Sequence, residues 1–218
     1  MIHTPPSKDA VRGHGPSRRL ILAALLAAPA GPVLARAAPV VTVLGDSITA
    51  GYGLPAASAL PAQLQAELAR RGRQVVVRGA GVSGDTTGGG LARLDFSVQD
   101  DTRVCVVALG GNDLLRGLDP KTTEANLTRI VSRLKARRMA VVLAAIRAPR
   151  AAGAGYAQAF DAAFAHVART QGVTLAPDML AGVAGVADLN QRDGIHPNAR
   201  GAQIVARNLA PAVIRALG

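Results

Sequence analysis

The sequence predicts an α/β domain built on a parallel sheet, and three observations carry that prediction. From residue 38 onward, short apolar runs alternate with stretches of helical periodicity. The runs Val40–Leu44, Val104–Leu109 and Val141–Ile146 are apolar almost throughout, as strands must be when helices cover both faces of their sheet. Three runs also lead into glycine-containing polar loops, and in a parallel sheet such loops share one edge.

The elements follow in order. Val40–Leu44 is the first expected strand, and Pro61–Arg71 a helix. Val75–Val77 is a second strand, running into the loop Gly79-Ala80-Gly81-Val82-Ser83-Gly84-Asp85. Val104–Leu109 is a third strand. Asp119-Pro120 supplies a helix start with proline at the first helical position, and that helix runs to about Arg138. Val141–Ile146 is a fourth strand, Tyr156–Thr170 a helix and Val173–Leu175 a short fifth strand. Ala199–Leu217 closes the chain as a helix. Neither a repeat nor a linker interrupts this pattern, so residues 38–218 read as one domain.

Residues 1–37 read as an export signal and not as fold. Residues 1–19 are polar and carry Lys8, Arg12, Arg18 and Arg19; a mostly apolar run from Leu20 to Leu34 follows. Ala35-Arg36-Ala37 then offers small residues where a signal peptidase reads them. Ser17-Arg18-Arg19-Leu20-Ile21-Leu22 resembles the twin-arginine export motif. The expected location is therefore periplasmic or secreted. Cleavage after Ala37 lowers Lys plus Arg from 25 to 20 and Asp plus Glu from 14 to 13, leaving a formal charge of +7.

That basic balance does not point to nucleic acid. The arginines are scattered or sit at helix ends, as in Arg70, Arg71 and Arg73, where they complement the helix dipole. Weak contact with an anionic lipid surface is compatible with it. Aromatics are 2% of the chain and tryptophan is absent, which excludes a large aromatic binding platform and leaves Leu, Val, Ile and Ala to fill the core. A single cysteine, Cys105, excludes an internal disulfide. So few His and Cys cannot build a metal cluster either, so no metal centre is expected.

Ser47 follows a strand and precedes small residues, the setting in which a hydroxyl is exposed and its own N–H is free to donate. A helix N-cap would use a serine there equally well. Histidine separates the two readings. His3 and His14 leave with the signal and His166 lies within the Tyr156–Thr170 helix, so His196 remains, in Asp193-Gly194-Ile195-His196-Pro197-Asn198. Asp193, three residues earlier, can accept from the imidazole and fix its tautomer, leaving the other ring nitrogen to take the serine proton. Asn112, in Gly110-Gly111-Asn112-Asp113, could donate to an oxyanion, as could the N–H groups of Gly84 and Ser47. A plain turn would also explain Gly-Asn-Asp.

A competing signal is Gly79-x-Gly81-x-x-Gly84, which matches the dinucleotide-binding fingerprint. Such a loop opens directly into a helix, whereas Asp85-Thr86-Thr87-Gly88-Gly89-Gly90 is a poor helix start. The loop also follows the second strand and not the first.

Taken together, Gly45-Asp46-Ser47-Ile48, Ser83-Gly84-Asp85, Gly110-Gly111-Asn112-Asp113 and Asp193-x-x-His196-Pro197 resemble the four blocks of the SGNH (GDSL-like) hydrolases, in family order. Gly51-Tyr52, Gly90-Leu91-Ala92-Arg93-Leu94, Arg116-Gly117 and Ile146-Arg147 with Pro149 resemble its bacterial periplasmic subgroup. The resemblance runs from about Val40 to the C-terminus. It implies a flavodoxin-like three-layer sandwich of about five parallel strands. It also implies a Ser-His-Asp mechanism without metal or cofactor and arylesterase, acyl-CoA thioesterase and lysophospholipase activities on small acyl substrates, with no obligate protein partner. Leu114, Leu115, Leu118 and Ile195 are candidates to line the acyl groove, with burial in the core as the alternative for each. The run Ala148 to Gly155 is richer in Ala and Gly than the subgroup's, and is expected to be a loop at the same sheet edge. Two further functions fit the same residues: a carbohydrate O-acetylesterase, and a catalytically silent lipid- or glycan-binding domain.

Overall fold

The computed structural model describes residues 1–4 and 37–218; the expected export signal lies, apart from its ends, outside them. Five strands form the sheet: β1 (Val40–Gly45), β2 (Val76–Gly81), β3 (Thr102–Ala108), β4 (Ala140–Ala144) and β5 (Thr174–Ala176). All neighbours pair in parallel, in the order β2-β1-β3-β4-β5, the flavodoxin-like arrangement. Among the described residues, eight α-helices connect and flank them: α1 (Ser47–Ala50), α2 (Leu60–Arg70), α3 (Thr87–Ala92), α4 (Leu94–Ser97), α5 (Gly111–Leu115), α6 (Pro120–Ala136), α7 (Ala154–Gln171) and α8 (Ala199–Leu217).

The two sides of the sheet follow from the period-two alternation of its strands. Val41, Val43, Val104, Val106 and Val142 face α2 and α8, burying Leu64, Leu68, Val205 and Leu209. Leu44, Cys105, Val107 and Leu143 face the other way, against Leu127 and Ile130 of α6 and Phe160 and Phe164 of α7. Each fully buried side chain of this size contributes about 1.5–3 kcal/mol. Although aromatics are few, Phe160 and Phe164 are fully buried with ring centroids 5.4 Å apart, edge to face. Cys105 is a core residue as well: burial pushes its thiol up to about 12, which removes it as a nucleophile.

Helix starts match local chemistry. Asp119 caps α6 by accepting from the Lys121 N–H, with Pro120 at the first position. Asn198 caps α8 through the N–H groups of Arg200 and Gly201.

Three expectations change. β2 extends to Gly81, so Gly79 and Gly81 belong to the strand and not to the loop. A Cβ on Gly79 would sit 2.8 Å from Pro61, and one on Gly81 would sit 2.3 Å from the Ala50 backbone N, so these glycines let α1 and α2 lie against the sheet edge. The poor helix start after Asp85 does form a helix, α3. Thr86 caps it from the Gly89 N–H, and the buried Asp113 carboxylate accepts from both the N–H and the hydroxyl of Thr87. Gly90 packs so closely on Leu109 that a Cβ would fall 2.2 Å from it. Tertiary contact here outweighs a glycine propensity cost of about 1 kcal/mol per residue. Finally, α7 begins at Ala154 after a 3-10 turn at Arg150–Ala152, so the Ala- and Gly-rich run is only partly loop.

Candidate active site

The carboxyl ends of β1, β2 and β3 deliver three loops to one edge, and the loop before α8 reaches the same place. Asp46 caps α1, accepting from the Ile48 N–H at 3.0 Å. Ser47 is the first residue of that helix, where the N–H has no helical carbonyl to bond. Its side chain is held in a nearly closed position, 8% exposed.

Opposite it, Asp193 organises its own turn. One carboxylate oxygen accepts from the N–H groups of Ile195 and His196 at 2.9 and 3.0 Å. The other lies 2.7 Å from His196 Nδ1, and His196 Nε2 lies 2.9 Å from Ser47 Oγ. The His196 backbone N–H, then its ring, then the Ile195 N–H hold the Asp193 carboxyl down at about 2, so it is an anion at every relevant pH. Both ring nitrogens of His196 are thus engaged in a relay that a general base requires.

The groups expected to meet an oxyanion assemble around a turn. Asp85 N donates to Val82 O at 3.1 Å, and Gly84 occupies the third position with φ +84°, the positive value a type II turn demands. The central peptide of such a turn directs its N–H outward, and among the described residues the Gly84 N–H has no acceptor. Asn112 Nδ2 donates to Asp85 O at 2.9 Å and faces Asp46 Oδ2 at 3.5 Å. Asn112 follows Gly110, whose φ of +118° and contact with Phe164 (a Cβ would fall 2.8 Å from the ring) key this loop to the core.

Residues 43–204 match the sequence profile of the GDSL-like Lipase/Acylhydrolase family. The chain belongs to that family. Among its relatives, the Pseudomonas aeruginosa protein named Esterase TesA is 40% identical over 162 residues, 74% of this chain and 81% of the relative. Escherichia coli (strain K12) Thioesterase 1/protease 1/lysophospholipase L1 is 39% identical over 165 residues, 75% of this chain and 78% of the relative. The crystal structure of TesA superimposes with a TM-score of 0.77 at 36% identity, covering 82% of this chain and 99% of that one.

Within this GDSL-like site, the four apolar groove candidates separate. Leu115, the last residue of α5 (61% exposed), and Ile195, on the loop before α8 (48% exposed), both stand free. Leu114 packs partly into the core beside α6 and α7, while Leu118 is half-buried and its carbonyl accepts from the Tyr156 hydroxyl. None of the four lines the crevice at Ser47 and His196, which measures about 10 Å³ and is bounded by Ile48, Tyr52, Leu54 and Pro197. A larger trough of about 490 Å³ runs along the outer edge of β2, between Val77, Gly79, Ala50 and Pro61, and includes none of Ser47, Gly84, Asn112 or His196. His166 is exposed on α7, 3.6 Å from Glu124, and takes no part in the site. No group of His, Cys, Asp or Glu suited to a metal ion occurs among the described residues.

Several neighbours were not singled out by sequence reasoning. The ring of Tyr52 packs on His196 with centroids 4.7 Å apart. Gln191 ties the histidine loop to the serine loop: its N–H donates to His196 O at 2.7 Å, and its side-chain amide donates to Tyr52 O at 2.7 Å and Pro197 O at 3.1 Å. Asp46 is the third. Burial, with the Asp85 carboxylate adding to it, pushes its carboxyl up to about 6 despite the Ile48 N–H and His196, which pull it down.

That displacement gives a signed expectation. A carboxyl harder to ionise in the fold than in the unfolded chain contributes stability below pH 4, and loses it as pH rises through about 6. Asp46→Asn, which keeps an N-cap acceptor without the charge, is therefore expected to be more stable than wild type at pH 7.5 by roughly 1–3 kcal/mol. The two proteins should melt together near pH 4. Thermal denaturation at both pH values checks this, and a variant less stable at pH 7.5 would show that the Asp46 anion is favoured in the fold.

Proposed function

We propose that this chain hydrolyses carboxylic esters or thioesters of small acyl substrates through an acyl-serine intermediate on Ser47. The observation that carries the reading is the continuous relay from Asp193 through His196 to Ser47 Oγ, with contacts of 2.7 and 2.9 Å. His196 Nε2 takes the proton as Ser47 Oγ attacks the carbonyl carbon, and returns it to the departing alcohol or thiol. Asp193, anionic throughout, steadies the imidazolium. The N–H groups of Ser47 and Gly84 and the amide of Asn112 meet the developing oxyanion. Water then repeats the sequence on the acyl-serine and releases the acid. Aryl esters, acyl thioesters and lysophospholipids are the substrate classes proposed, and the esterase and thioesterase names of the relatives support them.

Leu115 and Ile195 offer the acyl chain a partly exposed surface and not a closed tunnel. Full burial of one CH₂ gains about 0.8 kcal/mol, close to fourfold. Across p-nitrophenyl esters from acetate to octanoate, kcat/KM should therefore rise by less than fourfold per CH₂. No turnover of any ester in the series would remove the enzyme reading, and preference for acetylated xylan would move it to a carbohydrate O-acetylesterase. Contact with anionic lipid surfaces is part of this proposal, supported by exposed Tyr52, Val82 and Ile195 on their loops and Leu115 at the end of α5, with exposed Arg116 and Arg192 beside them in sequence.

Export before action is proposed on the charged, apolar and Ala-x-Ala order of residues 1–37. No helix among the described residues is long and apolar enough to cross a membrane. Mass spectrometry of periplasmic protein should find a chain beginning at or near Ala38, and an intact Met1 in the cytosolic fraction would refute export.

A further inference from the structure

Arg93 sits between α3 and α4 and bonds neither Ser47 nor His196, yet its guanidinium is spent on the frame of the proposed oxyanion side. Nε donates to the Asp85 carboxylate at 2.5 Å, one terminal nitrogen to Gly45 O at 2.8 Å, and the other to Ser97 Oγ at 3.0 Å. Both partners of the ion pair are largely withdrawn from water, with side chains 18% and 17% exposed. Charge-assisted contacts so placed are short and directional, and a planar fork fixes two partners at once where a lysine fixes one.

The two anchors are informative. Gly45 is the last residue of β1, two before Ser47. Asp85 directly follows Gly84, its N–H closes the turn that sets Gly84, and its carbonyl receives the Asn112 amide at 2.9 Å. All three oxyanion donors proposed above therefore take their position from the Gly45 and Asp85 junction that Arg93 clamps. A backbone link runs beside it, since the Val82 N–H at the start of the Gly84 turn donates to Gly45 O at 3.1 Å; Arg93, 48 positions along the chain from Gly45, supplies the side-chain link that ties the Asp85 end of that turn to the same carbonyl.

We propose that Arg93 is a positioning residue for the oxyanion hole, holding the Gly84 turn and the Asn112 amide in register with the Ser47 N–H. It touches no reacting atom and acts through Asp85 and Gly45. The inference rests on the esterase reading, and its test separates the two.

Losing an oxyanion donor outright costs roughly 10²–10³-fold in turnover, so misplacing donors should cost less, about 10- to 100-fold in kcat for Arg93→Lys. KM should stay within about threefold, because the oxyanion exists only along the reaction path. A phenylboronic acid, which forms a tetrahedral adduct on the nucleophile, should lose affinity in parallel with kcat/KM. Arg93→Ala should regain turnover in millimolar guanidinium, a response that a loss of packing alone would not show. Asp85→Asn should reproduce the defect, and combining it with Arg93→Lys should add little. If Arg93→Ala fails to fold, Arg93→Lys and Asp85→Asn carry the test, with turnover normalised to fluorophosphonate-titrated sites.

Boronate binding to wild type but not to Ser47→Ala secures the underlying site independently. Given that control, a kcat within twofold of wild type in Arg93→Lys, or boronate affinity unchanged while activity falls, overturns the inference.

Discussion

Replacing Ser47 with alanine is expected to lower ester turnover by roughly 10⁴–10⁶-fold while the fold survives. The size of the effect follows from what is lost. In the proposed mechanism Oγ forms the acyl bond, and among the described residues His196 Nε2 bonds no other hydroxyl or thiol; the thiol of Cys105 is fully buried in the sheet core, pushed up to about 12. The Ser47 N–H remains, as do Gly84 and Asn112, so a residual rate above uncatalysed hydrolysis should persist. Stability should change little, because the hydroxyl has one side-chain partner, His196 at 2.9 Å, and the helix cap belongs to Asp46. Fluorophosphonate labelling should disappear in the same variant. Turnover at the wild-type level, with contaminating esterase excluded, would take Ser47 out of the mechanism.

Asn112 carries the second large effect, and the order of two variants is diagnostic. Asn112→Ala removes one donor and should reduce kcat roughly 10²–10³-fold with KM little changed. Asn112→Asp should be worse. It sets an acceptor against the developing oxyanion, and the structure adds two further oppositions: the Asp46 carboxylate at 3.5 Å and the Asp85 carbonyl at 2.9 Å from the present amide nitrogen. Two carboxylates that close cannot both ionise without cost, and an acceptor facing a buried carbonyl leaves both unsatisfied. The aspartate variant should therefore also melt lower, so turnover is compared well below both melting temperatures. If Asn112 only shaped its turn, the Asp variant would turn over about as fast as wild type at temperatures where both are folded, whatever its loss of stability. Wild type, then Ala, then Asp is the expected order, and a fully active Asp variant would return Asn112 to the turn.

The sheet, and the residues brought to its edge, are legible in the sequence alone. Apolar runs at regular intervals set five parallel strands, and strand–glycine–polar junctions put Ser47, Gly84 and Asn112 on one edge. These signals are local: a strand end, a tight turn and an Asp-x-x-His motif are each written in a few adjacent residues. The histidine turn was legible for the same reason, since Asp193 and His196 are three apart.

How those parts meet, and what holds them, depends on packing between distant segments. Ser47 and His196 are 149 residues apart, Gln191 and Tyr52 are 139 apart, and Arg93 reaches Gly45 over 48. No periodicity encodes such pairs, because each depends on the angle at which two chain segments pack. The same cause made α3 form against its glycines, once Asp113 held Thr87 and Leu109 filled the space at Gly90. It also shifted the Asp46 carboxyl. Its identity was plain in Gly45-Asp46-Ser47, but its displacement to about 6 comes from the surrounding atoms that exclude water, and a linear sequence does not state which atoms those are.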